Sequence, residues 1–329
     1  MIVSRTPLRV SFFGGGTDYP EYFQRERGAV VGMAINQYVY VSILQLANIL
    51  EYRYRVSYSK IETVSEVDAI SHPVVRNVLR HHGVEAALDI SIMADLPARS
   101  GLGSSSAFTV GLLNLIFSLQ RKVTTKLDLA RSAVFIEREL LNENVGVQDQ
   151  YHAAFGGLNR FDFQGNRIRI SPIQMTGPCQ AALTGSLFLL YTGVTRFASD
   201  TLHEQMQRTR SGAVDRDLSH LLALTDQAVN VLEGDDPERM LSVFGAMLHE
   251  GWETKKRLSS RVSGPEIDAL YDAARAAGAI GGKLCGAGSG GFLLMVVPPA
   301  RQAKFLATIN GLCTIAVGLD TTGSTILQR

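Results

Sequence analysis

Pro97-Ala98-Arg99-Ser100-Gly101-Leu102-Gly103-Ser104-Ser105-Ser106-Ala107 is the stretch on which the fold turns. Upstream, Leu88, Ile90, Ile92 and Ala94 alternate with Asp89, Ser91, Met93 and Asp95, which predicts a strand over 88–96. Downstream, Phe108, Leu112, Leu115 and Leu119 recur at helical spacing, which predicts a helix from Ser105 to Gln120. Glycines here let the backbone approach an anion closely and adopt positive φ. The unpaired N–H groups of the following helix then face that anion, and the helix dipole favours its charge. Gly101, Leu102, Gly103, Ser104, Ser105 and Ser106 are therefore the candidate phosphate-binding set. A capped helix start after a plain linker is the bland alternative, but a linker does not require this order of glycines and serines. No GxxxxGK[ST] occurs, so a nucleotide bound here is not held by a Walker A loop.

Outward from the loop, Ile2–Phe13 reads as a strand running into Gly14-Gly15-Gly16, and 39–46 as a second strand. Helices are predicted over 73–82 and 127–142, and a hairpin over 159–170 around Gly165-Asn166. The second half carries a buried strand at 186–191, helices over 202–232, 237–258, 265–277 and 301–310, a glycine-rich loop over 278–291, and an apolar strand over 292–297. Strands and helices mix without strict alternation. The expected class is α+β in two lobes, 1–178 and 179–329, divided near residues 172–186.

Composition narrows the function. The 329 residues are 46% hydrophobic and 19% charged, as in an ordinary globule. Lys plus Arg is 32 against 31 for Asp plus Glu, so the basic excess of a nucleic-acid binder is missing. Three scattered cysteines, Cys179, Cys285 and Cys313, form neither a disulfide framework nor a zinc motif and fit a cytoplasmic setting. No apolar run is long enough to span a bilayer, and the N-terminus does not read as a signal peptide. Neither a membrane nor a nucleic acid is expected as partner, and monomer and homodimer are not distinguished.

Gly286-Ala287-Gly288-Ser289-Gly290-Gly291 satisfies GxGxxG, but with the helix before it and the strand after it. That reverses the dinucleotide fingerprint and removes that reading.

The 97–107 stretch resembles the phosphate loop of GHMP kinases. Two further motifs resemble the family's others: Arg5-Thr6-Pro7-Leu8-Arg9-Val10-Ser11-Phe12-Phe13-Gly14-Gly15-Gly16-Thr17-Asp18 its N-terminal substrate motif, and Gly281 to Phe292 its C-terminal glycine-rich motif. All three stand in the family's order. The resemblance implies a two-lobed GHMP fold, with an N-terminal lobe like domain 2 of ribosomal protein S5 and a ferredoxin-like C-terminal lobe. It also implies ATP and Mg²⁺ as cofactors. Gly146-Val147-Gln148-Asp149-Gln150 is similar to the galactokinase segment whose aspartate is the catalytic base, which makes Asp149 the candidate base and Arg9 the arginine that holds it ionised. Glu137, twelve residues earlier, matches the magnesium-binding glutamate; Ser105 is the expected second ligand, with Ser104 as the alternative. On a helix Glu137 shares a face with Ala133, Leu140 and Leu141, so it needs a partner, either a cation or a structural arginine.

Galactokinases carry Glu-His where this chain has Gly15-Gly16, so galactose is not the expected acceptor. The motifs resemble D-glycero-D-manno-heptose 7-phosphate kinases, with fucokinase domains as the second likeness. That implies transfer to the anomeric hydroxyl of a sugar phosphate, with Gly15, Gly16, Thr17, Asp18 and Gly288 at the substrate. A sugar phosphate also needs a cationic pocket; Arg99, Arg160, Arg196 and Lys283 stand beside the motifs. A decarboxylase or a non-catalytic sugar or nucleotide sensor on the same fold are the competing readings.

Overall fold

The computed structural model describes residues 1–47, 49–194 and 198–328. Twelve strands lie among the described residues: β1 (Ile2–Phe13), β2 (Gly28–Gln45), β3 (Tyr54–Ser57), β4 (Ile61–Val64), β5 (Leu88–Ala94), β6 (Leu158–Gln164), β7 (Arg167–Pro172), β8 (Leu187–Tyr191), β9 (Gly281–Leu284), β10 (Phe292–Val296), β11 (Thr314–Ala316) and β12 (Thr325–Gln328). The helices are α1 (Pro20–Phe23), α2 (Pro73–His81), α3 (Ser104–Leu119), α4 (Lys126–Phe135), α5 (Gln148–Phe155), α6 (Gly177–Thr184), α7 (Ala198–Arg210), α8 (Asp215–Leu232), α9 (Pro237–Lys255), α10 (Pro265–Ala277) and α11 (Pro299–Thr308).

The architecture is α+β, as expected. One sheet runs β12-β1-β2-β5-β3-β4, with β6 and β7 extending from β2; the other runs β11-β8-β10-β9. β2 is long because it serves two partners. Gly28–Met33 pairs with β6, and Val39–Gln45 pairs with β5. Its first half is buried throughout, so it lacks the alternation that reveals a strand; the sequence reading therefore caught only the second half.

α3 lies across β1 and β2 and is buried from Ser106 to Gly111 and beyond, a central helix rather than an amphipathic one. α8 packs on β1 and β2, while α9 packs on β9, so this helical pair ties the two sheets together. A large core fills the first sheet and its helices, and a smaller one around Trp252, Tyr271 and Phe305 backs the second. β12 pairs antiparallel with β1, so the chain end joins the first sheet instead of staying with the lobe assigned to 179–329.

Several local expectations change. The helix expected over 127–142 is α4 followed by a π-helical turn, Ile136–Leu140, which carries Glu137. The one expected over 202–232 breaks between α7 and α8, where Gly212 has φ +74°. β9 sits inside the stretch read as a glycine loop: a Cβ on Gly281 would lie 1.9 Å from the Gly245 carbonyl oxygen. Glycine here permits strand packing, not a turn. Among the described residues no helix is long and apolar enough to cross a membrane.

Candidate active site

The loop between β5 and α3 turns on three left-handed residues, Arg99 (φ 60°), Gly101 (φ 80°) and Gly103 (φ 75°). Gly103 is the N-cap of α3 and supplies no side-chain cap, so the first-turn N–H groups are left to a ligand. Leu102 is fully buried and anchors the loop in the core. Gly101 is pressed against the C-terminal glycine-rich segment; a Cβ there would stand 2.5 Å from the Cys285 carbonyl oxygen. Phe292 N–H donates to the Ser100 carbonyl at 3.3 Å. The two glycine-rich segments thus brace each other backbone to backbone, which side chains would prevent.

Arg9, in the middle of β1, is the hub. Its Nε and Nη2 donate to Asp149 Oδ1 and Oδ2, both at 2.8 Å, and Nη1 donates to the Gly101 carbonyl at 2.7 Å. One planar fork therefore fixes β1, α5 and the phosphate loop. Burial would lower the Arg9 pKa, but the charge and hydrogen bonds of Asp149, with smaller contributions from Cys285 and Asp18, together hold it above its ordinary value. Asp149 sits in the first turn of α5, a helix the sequence reading did not foresee.

Asp18 is 1% exposed and accepts the Gly16 N–H at 3.0 Å. Burial raises its pKa, and Asp149 nearby adds to the rise. Arg9, Asp149, Asp18, Gly15, Gly16, Gly101, Gly103, Ser104, Ser105, Arg99, Lys283 and Gly288 all line one cleft of about 390 Å³. Most of the expected residues therefore converge.

Others do not. Thr17 is fully buried; its hydroxyl lies 2.8 Å from the Gly14 carbonyl and accepts the Ala29 N–H at 3.0 Å, so it holds the turn and does not line the cleft. Arg160 is committed to Asp162 and Asp226, each at 2.7 Å, in a surface network away from the cleft. Arg196 lies outside the described residues. Glu137 is 1% exposed behind the loop; Ser106 Oγ donates to its Oε2 at 2.9 Å, and Gln150 Nε2 donates to the same oxygen. Ser106 is therefore the serine in contact with Glu137, while Ser105 faces the cleft. Burial pushes the Glu137 pKa up to about 7 although hydrogen bonds from Thr109, Ser106 and Gln150 pull it down.

Glu137 Oε1 has no hydrogen-bond partner. An orphaned buried carboxylate oxygen beside serine hydroxyls and a phosphate cradle suits Mg²⁺, which takes one or two carboxylates and completes its shell with phosphates and water. The structural-arginine alternative finds no support, since the groups bonded to Glu137 are a serine and a glutamine.

Lys255 was missed. It ends α9, where a lysine reads as an ordinary complement to the helix dipole. Only the fold turns that helix end into the cleft, together with Gln148 and Gln205.

Comparison with known proteins bears on the family and the fold. The GHMP kinases N terminal domain matches residues 69–157 and the GHMP kinases C terminal domain residues 238–311. A D-glycero-alpha-D-manno-heptose 7-phosphate kinase of Campylobacter jejuni is 28% identical over 322 residues, 94% of this chain and 93% of that protein. An L-fucokinase/L-fucose-1-P guanylyltransferase of Bacteroides fragilis is 26% identical over 92% of this chain, which spans 35% of that longer protein. A crystal structure described as a D-glycero-D-manno-heptose 1-phosphate kinase from Bacteroides thetaiotaomicron superposes with a TM-score of 0.76 at 25% identity, covering 100% of this chain and 99% of that one.

Proposed function

We propose that the chain is an ATP-dependent sugar kinase of the GHMP type that transfers the ATP γ-phosphoryl group to the anomeric hydroxyl of D-glycero-D-manno-heptose 7-phosphate, giving the 1,7-bisphosphate. The observation that carries this reading is the Arg9–Asp149 fork, tied to the phosphate loop and lining one cleft with Asp18.

The chemistry follows from position and charge. The loop amides of Gly101–Ser106 and the α3 N-terminus hold the ATP phosphates. Asp18 and the backbone at Gly15, Gly16 and Gly288 orient the sugar, the glycines leaving room for the ring. Asp149 accepts the anomeric hydroxyl proton as that oxygen bonds the γ-phosphorus; the bond to the ADP oxygen breaks and ADP departs with its electron pair. Arg9 holds Asp149 aimed through its two hydrogen bonds. Glu137, with Ser105 or Ser106, would hold Mg²⁺, which when bound neutralises phosphate charge. The lobes are taken as 1–178 and 179–329, less the returning β12.

Two of the relatives carry a heptose phosphate in their names, which favours that acceptor class over free L-fucose. The test is Mg²⁺-dependent ADP release across free hexoses, L-fucose, hexose phosphates and D-glycero-D-manno-heptose 7-phosphate. Turnover confined to the heptose phosphate is expected. Turnover of L-fucose instead would keep the kinase and discard the acceptor. Ligand binding without ADP formation would favour a sensor, and carbon dioxide release from a diphosphomevalonate substrate a decarboxylase.

A further inference from the structure

The cleft holds two buried ammonium groups for which the transfer chemistry above has no use. Lys255 is 7% exposed and Lys283 is 6% exposed, and both line the cleft. Lys255 Nζ donates to the carbonyls of Gly286 and Leu284; Lys283 Nζ donates to the Phe12 carbonyl at 3.0 Å. Among the described residues neither forms an ion pair with a carboxylate. Carbonyl oxygens satisfy donors but carry no charge, so both cations sit buried and uncompensated. The carboxylate whose field reaches both is Asp18, and it is already held by the Gly16 N–H. Burial lowers the Lys255 pKa to about 8, and burial with repulsion from Lys255 lowers that of Lys283 to about 7.

An ammonium has three donors. Lys255 spends two on carbonyls and Lys283 one, so donors of both remain for a ligand. Their surroundings say which ligand. Arg9 is neutralised by Asp149 and tied to the phosphate loop, so the ATP side has its own donors. The lysines rise from β9 and the end of α9, beside Gly286 and Gly288, where a Cβ would strike the backbones of Gly101 and Val262, so these glycines let the segment pack closely along the cleft. A neutral sugar would leave two cations facing one carboxylate; an acceptor carrying its own dianion would balance them.

We propose that Lys255 and Lys283 form the subsite for the phosphate ester of the sugar acceptor. The proposal rests on the sugar-phosphate kinase reading above, and names the two residues that select a phosphorylated sugar over a free one. Neither touches the reacting atoms; both act on affinity.

The test measures initial rates of ADP release with D-glycero-D-manno-heptose 7-phosphate and with the same heptose lacking its phosphate. Lys255→Gln and Lys283→Gln keep a donor for the backbone carbonyls while removing the charge. Each is expected to raise the KM for the heptose phosphate roughly 10- to 100-fold, leaving the KM for ATP within about twofold. The wild-type chain supplies an arm that needs no variant: its KM for the phosphorylated heptose should lie at least about 100-fold below that for the free heptose. A rise in the KM for ATP instead would overturn the proposal and assign the lysines to the γ-phosphate. No change in either KM would overturn it and leave them as backbone staples. Wild-type enzyme that uses both heptoses equally would overturn the subsite while the kinase reading stands, and failure to turn over any sugar would overturn both.

Discussion

The two walls of the cleft bury charge in opposite ways. On one, Arg9 and Asp149 are joined by two hydrogen bonds of 2.8 Å and the pair is neutral as a unit. On the other, Lys255 and Lys283 are buried against carbonyl oxygens, and among the described residues no carboxylate is bonded to them. The first arrangement is complete without substrate, because each charge's lost hydration is offset by the other's field and by the bond to the Gly101 carbonyl. The second carries an electrostatic demand that is relieved either by loss of a proton or by an incoming anion. Machinery that must be in place before each turnover is self-paired; machinery that selects a ligand is left unpaired.

The sharpest way to break this contrast is to remove the base without removing the fork. Asp149→Asn should lower kcat roughly 10³-fold, about 4 kcal/mol of transition-state stabilisation, while ATP and sugar affinities hold within about threefold. Single-turnover kinetics with calorimetric binding would check it, and near-normal kcat would remove Asp149 as the base.

A smaller effect compares the walls directly. Arg9→Met leaves the part-buried Asp149 carboxylate without its partner and should cost about 2 kcal/mol of unfolding free energy in urea. Lys283→Met removes a cation that has no bonded counter-charge, and should leave the ligand-free protein as stable as before or more so. Equal losses from the two substitutions would dissolve the distinction.

The smallest effect lies behind the paired wall. His152 is fully buried, neither ring nitrogen has a hydrogen-bond partner, and burial with the Arg9 charge lowers its pKa to about 3. A histidine pKa below its unfolded value means that the folded state binds fewer protons. Its stability contribution is complete above about pH 6.5 and is lost as pH falls toward about 3, at up to about 1.4 kcal/mol per pH unit. Urea unfolding at pH 7 and pH 5 should show wild type losing more stability than His152→Gln; parallel losses would mean that His152 is already protonated or solvated.

Much of the site was legible because phosphate binding writes itself into contiguous sequence. The residues of 97–107 must be consecutive to wrap an anion, and the strand before and helix after them must follow directly, so their pattern survives without a structure. Arg9 and Asp149 were legible by likeness to a family, not by any spacing between them, since 140 residues separate them. Glu137 was read on an α-helical face, but a π-helical turn carries it inward to Ser106, and one extra residue in a turn leaves no mark on hydrophobic periodicity.

By itself the sequence determined the α+β class and the order of the three motifs, because each depends on neighbours along the chain. Tertiary structure alone decided that Thr17 braces a turn, that Arg160 is spent on Asp162 and Asp226, and that Lys255 joins Lys283 in the cleft. A lysine at a helix end and a lysine in a short strand have the same local reading wherever they stand. Their meaning comes from burial and from which charges are absent around them, and both are properties of packing between segments that the chain brings together only when folded.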